Sequence, residues 1–277
     1  MPKTAVDVWM DQDFTFSAGT IRRQALALFL LRLPALIPLF FMLPAVLTLN
    51  NNTLNGAGAD VLGTGAELCL LLTLLVTPVI TVTGQRWIAP LRRWYGIMFA
   101  VTAITDATIA SITSDFAGGV FGRIAGHSFL LVGLTMVVLA IPLLATANNP
   151  AQRWLGRYWK QLQRITYVIW GLLFVHLALL EGLGFQHGAN GSGHAPDGDP
   201  IFHQRLYQFA ACSIPLIVLR LPPVKRWVAR QQKAGREWLV YLSVLPLAVL
   251  FVLGFSFMVN EEIFKGVDAF TLHPSNE

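Results

Sequence analysis

Seven apolar runs, each about as long as a bilayer is thick, dominate the sequence at residues 25 to 49, 66 to 84, 94 to 113, 126 to 147, 162 to 182, 203 to 221 and 238 to 259. A spanning helix needs about 20 mainly apolar residues, so these runs absorb more than half of the 277 residues and leave only short connections. No room remains for a separate soluble catalytic domain. Charged residues make up 13% of the chain, against about 25% in an ordinary soluble domain. The expected fold is therefore an all-α polytopic helix bundle in a lipid bilayer, where helices satisfy their own backbone polar groups. The first run is the weakest, because Arg32 sits within it and Pro34, Pro38 and Pro44 interrupt it. The alternative for residues 19 to 31 is an interfacial helix with Arg32 snorkelling to the headgroups.

Charge in the connections sets the expected orientation. Arg86, Arg92 and Arg93 separate the second and third runs, and Arg153, Arg157, Lys160 and Arg164 separate the fourth and fifth. Lys225, Arg226, Arg230, Lys233 and Arg236 separate the sixth and seventh, whereas the other links hold only Arg123 and the border residue Arg205. The positive-inside rule puts the basic links in the cytoplasm, with the N-terminus inside and, after an odd number of spans, the C-terminus outside. Trp87, Trp94, Trp154, Trp159, Trp227 and Trp238 fall near the cytoplasmic ends, where an aromatic belt belongs. The net charge of +5 thus reports orientation, and no nucleic-acid partner is expected. Cys69 and Cys212 both lie in apolar runs and read as buried thiols. The first 24 residues lack an apolar core, so the first span is expected to serve as the targeting signal.

Ionisable residues inside a bilayer are costly and are functional candidates by default. Asp106 lies 13 residues beyond Arg93 and His176 lies 12 beyond Arg164, so each is roughly 18 to 20 Å of helix from the cytoplasmic border. His127 lies 20 residues before Ala147, roughly 30 Å of helix away and near the outer interface. Three readings follow. His176 is an axial ligand to a haem between spans, with Asp106 and His127 in the haem neighbourhood. Alternatively, Asp106 and His176 form a buried pair that satisfies both, or they belong to a proton relay. The outward loop holds His187, His194, Asp197, Asp199 and His203, a weak set of nitrogen and oxygen metal ligands in a Gly-rich stretch that loses much entropy on ordering. No phosphate-binding Gly loop, Ser/His/Asp arrangement or Cys-rich metal motif is present. A non-catalytic subunit is expected rather than a stand-alone enzyme.

Three ordered segments, LLLTLLVTP at 70 to 78, PLRRWYGI at 90 to 97 and LLATANNPAQRWLGRYWKQLQRITY at 143 to 167, resemble the ferric reductase-like transmembrane domain family. Within it the chain looks most like the haem-binding membrane subunit of the bacterial periplasmic methionine sulfoxide reductase system. The resemblance covers about residues 30 to 221 and is strongest from 70 to 180. It implies a ferric reductase-like domain at 25–221 with an outward loop at 183–202, between a cytoplasmic segment at 1–24 and a basic loop at 222–237; a seventh span and an outward tail follow at 238–277. The family's three His positions fall on Asp106, Gln163 and His176, so only the last is retained. The resemblance implies an inner-membrane electron-transfer subunit with at most one haem b, passing electrons from a partner or membrane quinol toward a periplasmic acceptor. The alternative is a haem-free structural or assembly subunit of a larger membrane complex. The seventh span and the basic stretch before it, which lie outside the resemblance, are expected contact surfaces for membrane or periplasmic subunits.

Overall fold

The structure, a computed structural model, describes residues 18–37, 39, 59–113, 128–179 and 204–259. Among the described residues there is helix and turn and no strand, as a chain this apolar requires. The helices are α1 (Ala18–Arg32), α2 (Ala59–Thr83), α3 (Ala89–Thr113), α4 (Ser128–Ala145), α5 (Asn149–Leu155), α6 (Arg157–Leu162), α7 (Ile165–Leu179), α8 (Gln204–Val218), α9 (Pro222–Lys233) and α10 (Glu237–Met258). Among the described residues three stretches, Leu62–Thr83, Arg157–Leu179 and Glu237–Met258, are long and apolar enough to cross a membrane, and two bent pairs raise this to at most five. The seven expected spans are thus matched in part. The helix expected over 25 to 49 differs most: α1 ends at Arg32 and a 3-10 turn, Leu33–Leu36, follows. Pro34 explains the break, because its ring removes a helical donor and crowds the preceding turn.

α2 is the hub of the bundle. In its apolar window 67% of residues are buried, against 22% for Arg157–Leu179 and 17% for Glu237–Met258, so α7 and α10 face outward with their apolar sides. Exposed Leu131, Val138, Val168, Leu245 and Val252 would aggregate in water and suit lipid contact. α2 and α3 form an antiparallel hairpin: Gly63 faces Asp106 and Gly96 faces Thr73, and both pairs of numbers sum to 169, which defines one register. Gly84, at φ +70°, closes α2 in the left-handed conformation, its N–H donating to the Ile80 carbonyl at 2.8 Å.

Several polar groups inside this bundle find partners within their own helix or on a neighbouring one. Thr73, Thr81, Thr83, Thr102 and Thr105 each donate to the carbonyl four residues earlier. Trp170 Nε1 donates to Ser213 Oγ at 3.1 Å, tying α7 to α8. Gln232 Nε2 on α9 donates to the Thr81 and Val82 carbonyls at 3.2 and 2.9 Å, filling acceptors that the end of α2 leaves open. Cys69 and Cys212 are buried free thiols, as expected.

The chain turns by 94° between Phe129–Ala145 and Asn149–Leu155, so α5 leaves the end of α4 almost at a right angle. Asn148 makes the turn: its Oδ1 accepts from the Ala151 N–H at 2.7 Å and Pro150 stands at the start of the helix. Arg93 braces the corner, donating from Nε to the Ala147 carbonyl at 2.6 Å and from Nη1 to Asn149 Oδ1 at 2.7 Å. Replacing Asn148 by Ala is expected to cost about 1 kcal/mol, measured as a lower unfolding midpoint in detergent; an unchanged midpoint would show that Arg93 alone holds the corner.

Candidate functional site

His176 lies on α7 and turns toward α4. Its Nδ1 is 2.9 Å from the Phe129 carbonyl oxygen, and the Phe129 ring centroid is 6.0 Å from the imidazole at a tilt of 54°. A carbonyl oxygen only accepts, so this bond places the proton on Nδ1 and leaves the Nε2 lone pair available. A histidine that ligates a metal is held in this way, its second ring nitrogen donating to a backbone carbonyl. Gly133, one turn along α4, makes room for the ring: a Cβ there would stand 3.3 Å from His176 Cε1. Neither Phe129 nor Gly133 carried a signal in the sequence, because one acts through its backbone and the other through an absent side chain.

Asp106 lies on α3 and faces α2, its Oδ2 4.0 Å from where a Cβ on Gly63 would stand. The bond that fixes His176 runs to α4, whereas Asp106 Oδ2 lies on the side of α2. His127, His187, His194, Asp197, Asp199 and His203 lie outside the described residues. Among the described residues no group of three metal-ligating side chains comes together.

Gln163 lines a cavity of about 460 Å³ at the end of the bundle where α3 begins and α4 ends. Arg92 and Arg93 from the first turn of α3 line it, as do Lys160 and Arg164 beside Gln163. The sequence presented these four cations as markers of orientation, and the fold gathers them round one space. Trp159 is also in the wall, and its Nε1 is buried without a hydrogen-bond partner.

Among proteins of known description, the chain is 33% identical over 141 residues to the protein-methionine-sulfoxide reductase heme-binding subunit MsrQ of Brucella anthropi, covering 45% of this chain and 60% of that protein. It is 34% identical over 125 residues to the MsrQ of Ralstonia nicotianae, covering 41% of this chain and 54% of the relative. The magnetosome protein MamZ of Paramagnetospirillum magneticum is 35% identical over 122 residues, which cover 43% of this chain and 19% of MamZ. The chain thus spans little more than half the length of the MsrQ proteins it matches. No family model matches the chain and no solved structure does. Over the shared segment the chain is similar to these MsrQ heme-binding subunits and to MamZ.

Proposed function

We propose that the chain is a membrane electron-transfer subunit that holds one b-type haem through His176. One observation carries the reading: the imidazole is fixed by its Nδ1–H bond to the Phe129 carbonyl, with the Nε2 lone pair left available to a metal. The names of the MsrQ relatives, heme-binding subunits, support it. The donor set fits one haem and not the family's wider set. Asp106 offers carboxylate oxygens and Gln163 an amide, whereas haem iron in proteins takes His, Cys, Met or Tyr. His127, two residues before Phe129 in the sequence, is the candidate for a second protein ligand. When bound, the haem supplies a one-electron carrier within the bilayer.

In this reading the basic links face the cytoplasm, the N-terminus lies inside and the C-terminus outside, and electrons pass from a quinol or partner toward a periplasmic protein subunit. The test is a pyridine haemochrome spectrum of detergent-purified protein from a haem-sufficient host. The expected result is one b-type haem per chain, lost in His176→Ala and kept in Asp106→Asn and Gln163→Ala. Haem-free protein in every case would overturn the reading and favour a structural subunit, for which the replacement of two family His positions is the supporting observation.

A further inference from the structure

The cavity beside Gln163 is unusual in its charge. Arg92, Arg93, Lys160 and Arg164 come from two separated stretches of chain, and the wall contains no Asp or Glu. Arg93 is occupied by neutral acceptors, the Ala147 carbonyl and Asn149 Oδ1, which orient it without cancelling its charge. Arg92, Lys160 and Arg164 have no carboxylate partner among the described residues. Four like charges around one space repel each other, and an anion in that space relieves the repulsion. A role in fixing topology needs these cations only on the correct side of the membrane. It does not need them to converge, nor does it need a cavity.

The shape narrows the class of anion. The wall runs along α3 from Ala89 to Ala100, roughly 16 Å of helix, with the cations at the end of the bundle. Leu70, Phe99 and Ala140 line the part that lies deeper along the helices. The space is therefore charged at its mouth and apolar within. Its volume of about 460 Å³ falls in the range of small-molecule pockets. Trp159 adds the buried, unpartnered Nε1 donor, and Gln163 adds an amide donor without charge.

We propose that this cavity binds an anionic phospholipid, its headgroup phosphate held by Arg92, Arg93, Lys160 and Arg164 and the start of an acyl chain lying along α3. Basic pockets between membrane helices on the cytoplasmic side recognise such headgroups. The proposal stands apart from the haem reading, since His176 lies on the far part of α7 from Gln163. Binding by the full chain is read as thermal stabilisation in phosphatidylcholine vesicles containing phosphatidylglycerol or cardiolipin, and as anionic lipid retained through purification. The pair Lys160→Ala, Arg164→Ala is expected to weaken binding about thirtyfold, from about 1 kcal/mol for each basic residue. The charge-preserving pair Lys160→Arg, Arg164→Lys restores it and guards against a folding defect. Equal stabilisation by phosphatidylcholine alone would overturn the proposal. So would full stabilisation by inorganic phosphate, or retention of a water-soluble phosphate ester in place of lipid.

Discussion

Arg220→Met costs stability while Pro78 is present and costs far less once Pro78 is replaced by Ala. Pro78 lies inside α2 and has no N–H, so the Leu74 carbonyl four residues earlier loses its helical donor. Arg220, just beyond α8, donates from Nη2 to that same carbonyl. Its guanidinium carbon also lies 5.0 Å from the centroid of the Tyr167 ring. In hydrocarbon an orphaned carbonyl costs about 1 to 3 kcal/mol. The single substitution mixes two opposing effects, because Nε and Nη1 of Arg220 are buried without partners and removing them is favourable. A double-mutant cycle separates the two. Ala at position 78 returns an N–H to Leu74, so the cycle is expected to give a coupling of about 1 to 2 kcal/mol by unfolding titration in detergent. Additivity of the two substitutions would show that Arg220 does not serve the carbonyl that Pro78 exposes.

That pairing also shows what the sequence could and could not reveal. Apolar runs placed α2, α3, α4, α7, α8 and α10 to within several residues, because burial in lipid depends on composition and length, which one sequence displays directly. Kinked and broken ends were harder. Pro34 and Pro150 announce their breaks, but the 94° turn before α5 depends on Asn148 and Arg93 acting together across the fold. The site was legible in one residue. His176 stood out as an ionisable group in an apolar run, yet its partner is a backbone carbonyl on another helix, which no side-chain pattern encodes. Depth put Asp106 at a similar level, but depth leaves the direction around the helix axis open, and only the fold shows its Oδ2 on the side of Gly63 in α2. Arg92, Arg93, Lys160 and Arg164 each had a sufficient explanation in topology, so their convergence emerged only from the way α3 and the α6–α7 junction line one cavity.

Gly254→Ala is expected to destabilise the bundle where Gly171→Ala does not, although both glycines lie inside apolar helices. A Cβ at 254 would stand 2.9 Å from Cys212 Sγ, 3.1 Å from the Gln208 carbonyl oxygen and 3.3 Å from Ala211 Cβ. The sulfur has little freedom to withdraw: Cys212 is wholly buried and its thiol points to the Phe251 carbonyl at 3.6 Å. The Gln208 contact is backbone and moves only with α8 as a whole. One added methyl group must therefore push α8 and α10 apart along their contact, and a small residue is what lets two membrane helices approach so closely. Overpacking of this kind costs about 1 to 3 kcal/mol. At Gly171 a Cβ meets nothing within 4 Å, so Ala there gains up to about 1 kcal/mol of helix propensity. Unfolding midpoints of the two variants in one detergent should move in opposite directions. If both rise, the close contact of α8 with α10 is not maintained in the membrane-extracted protein, and the basic α9 that joins them would have to hold the last span in place by its own cap on α2.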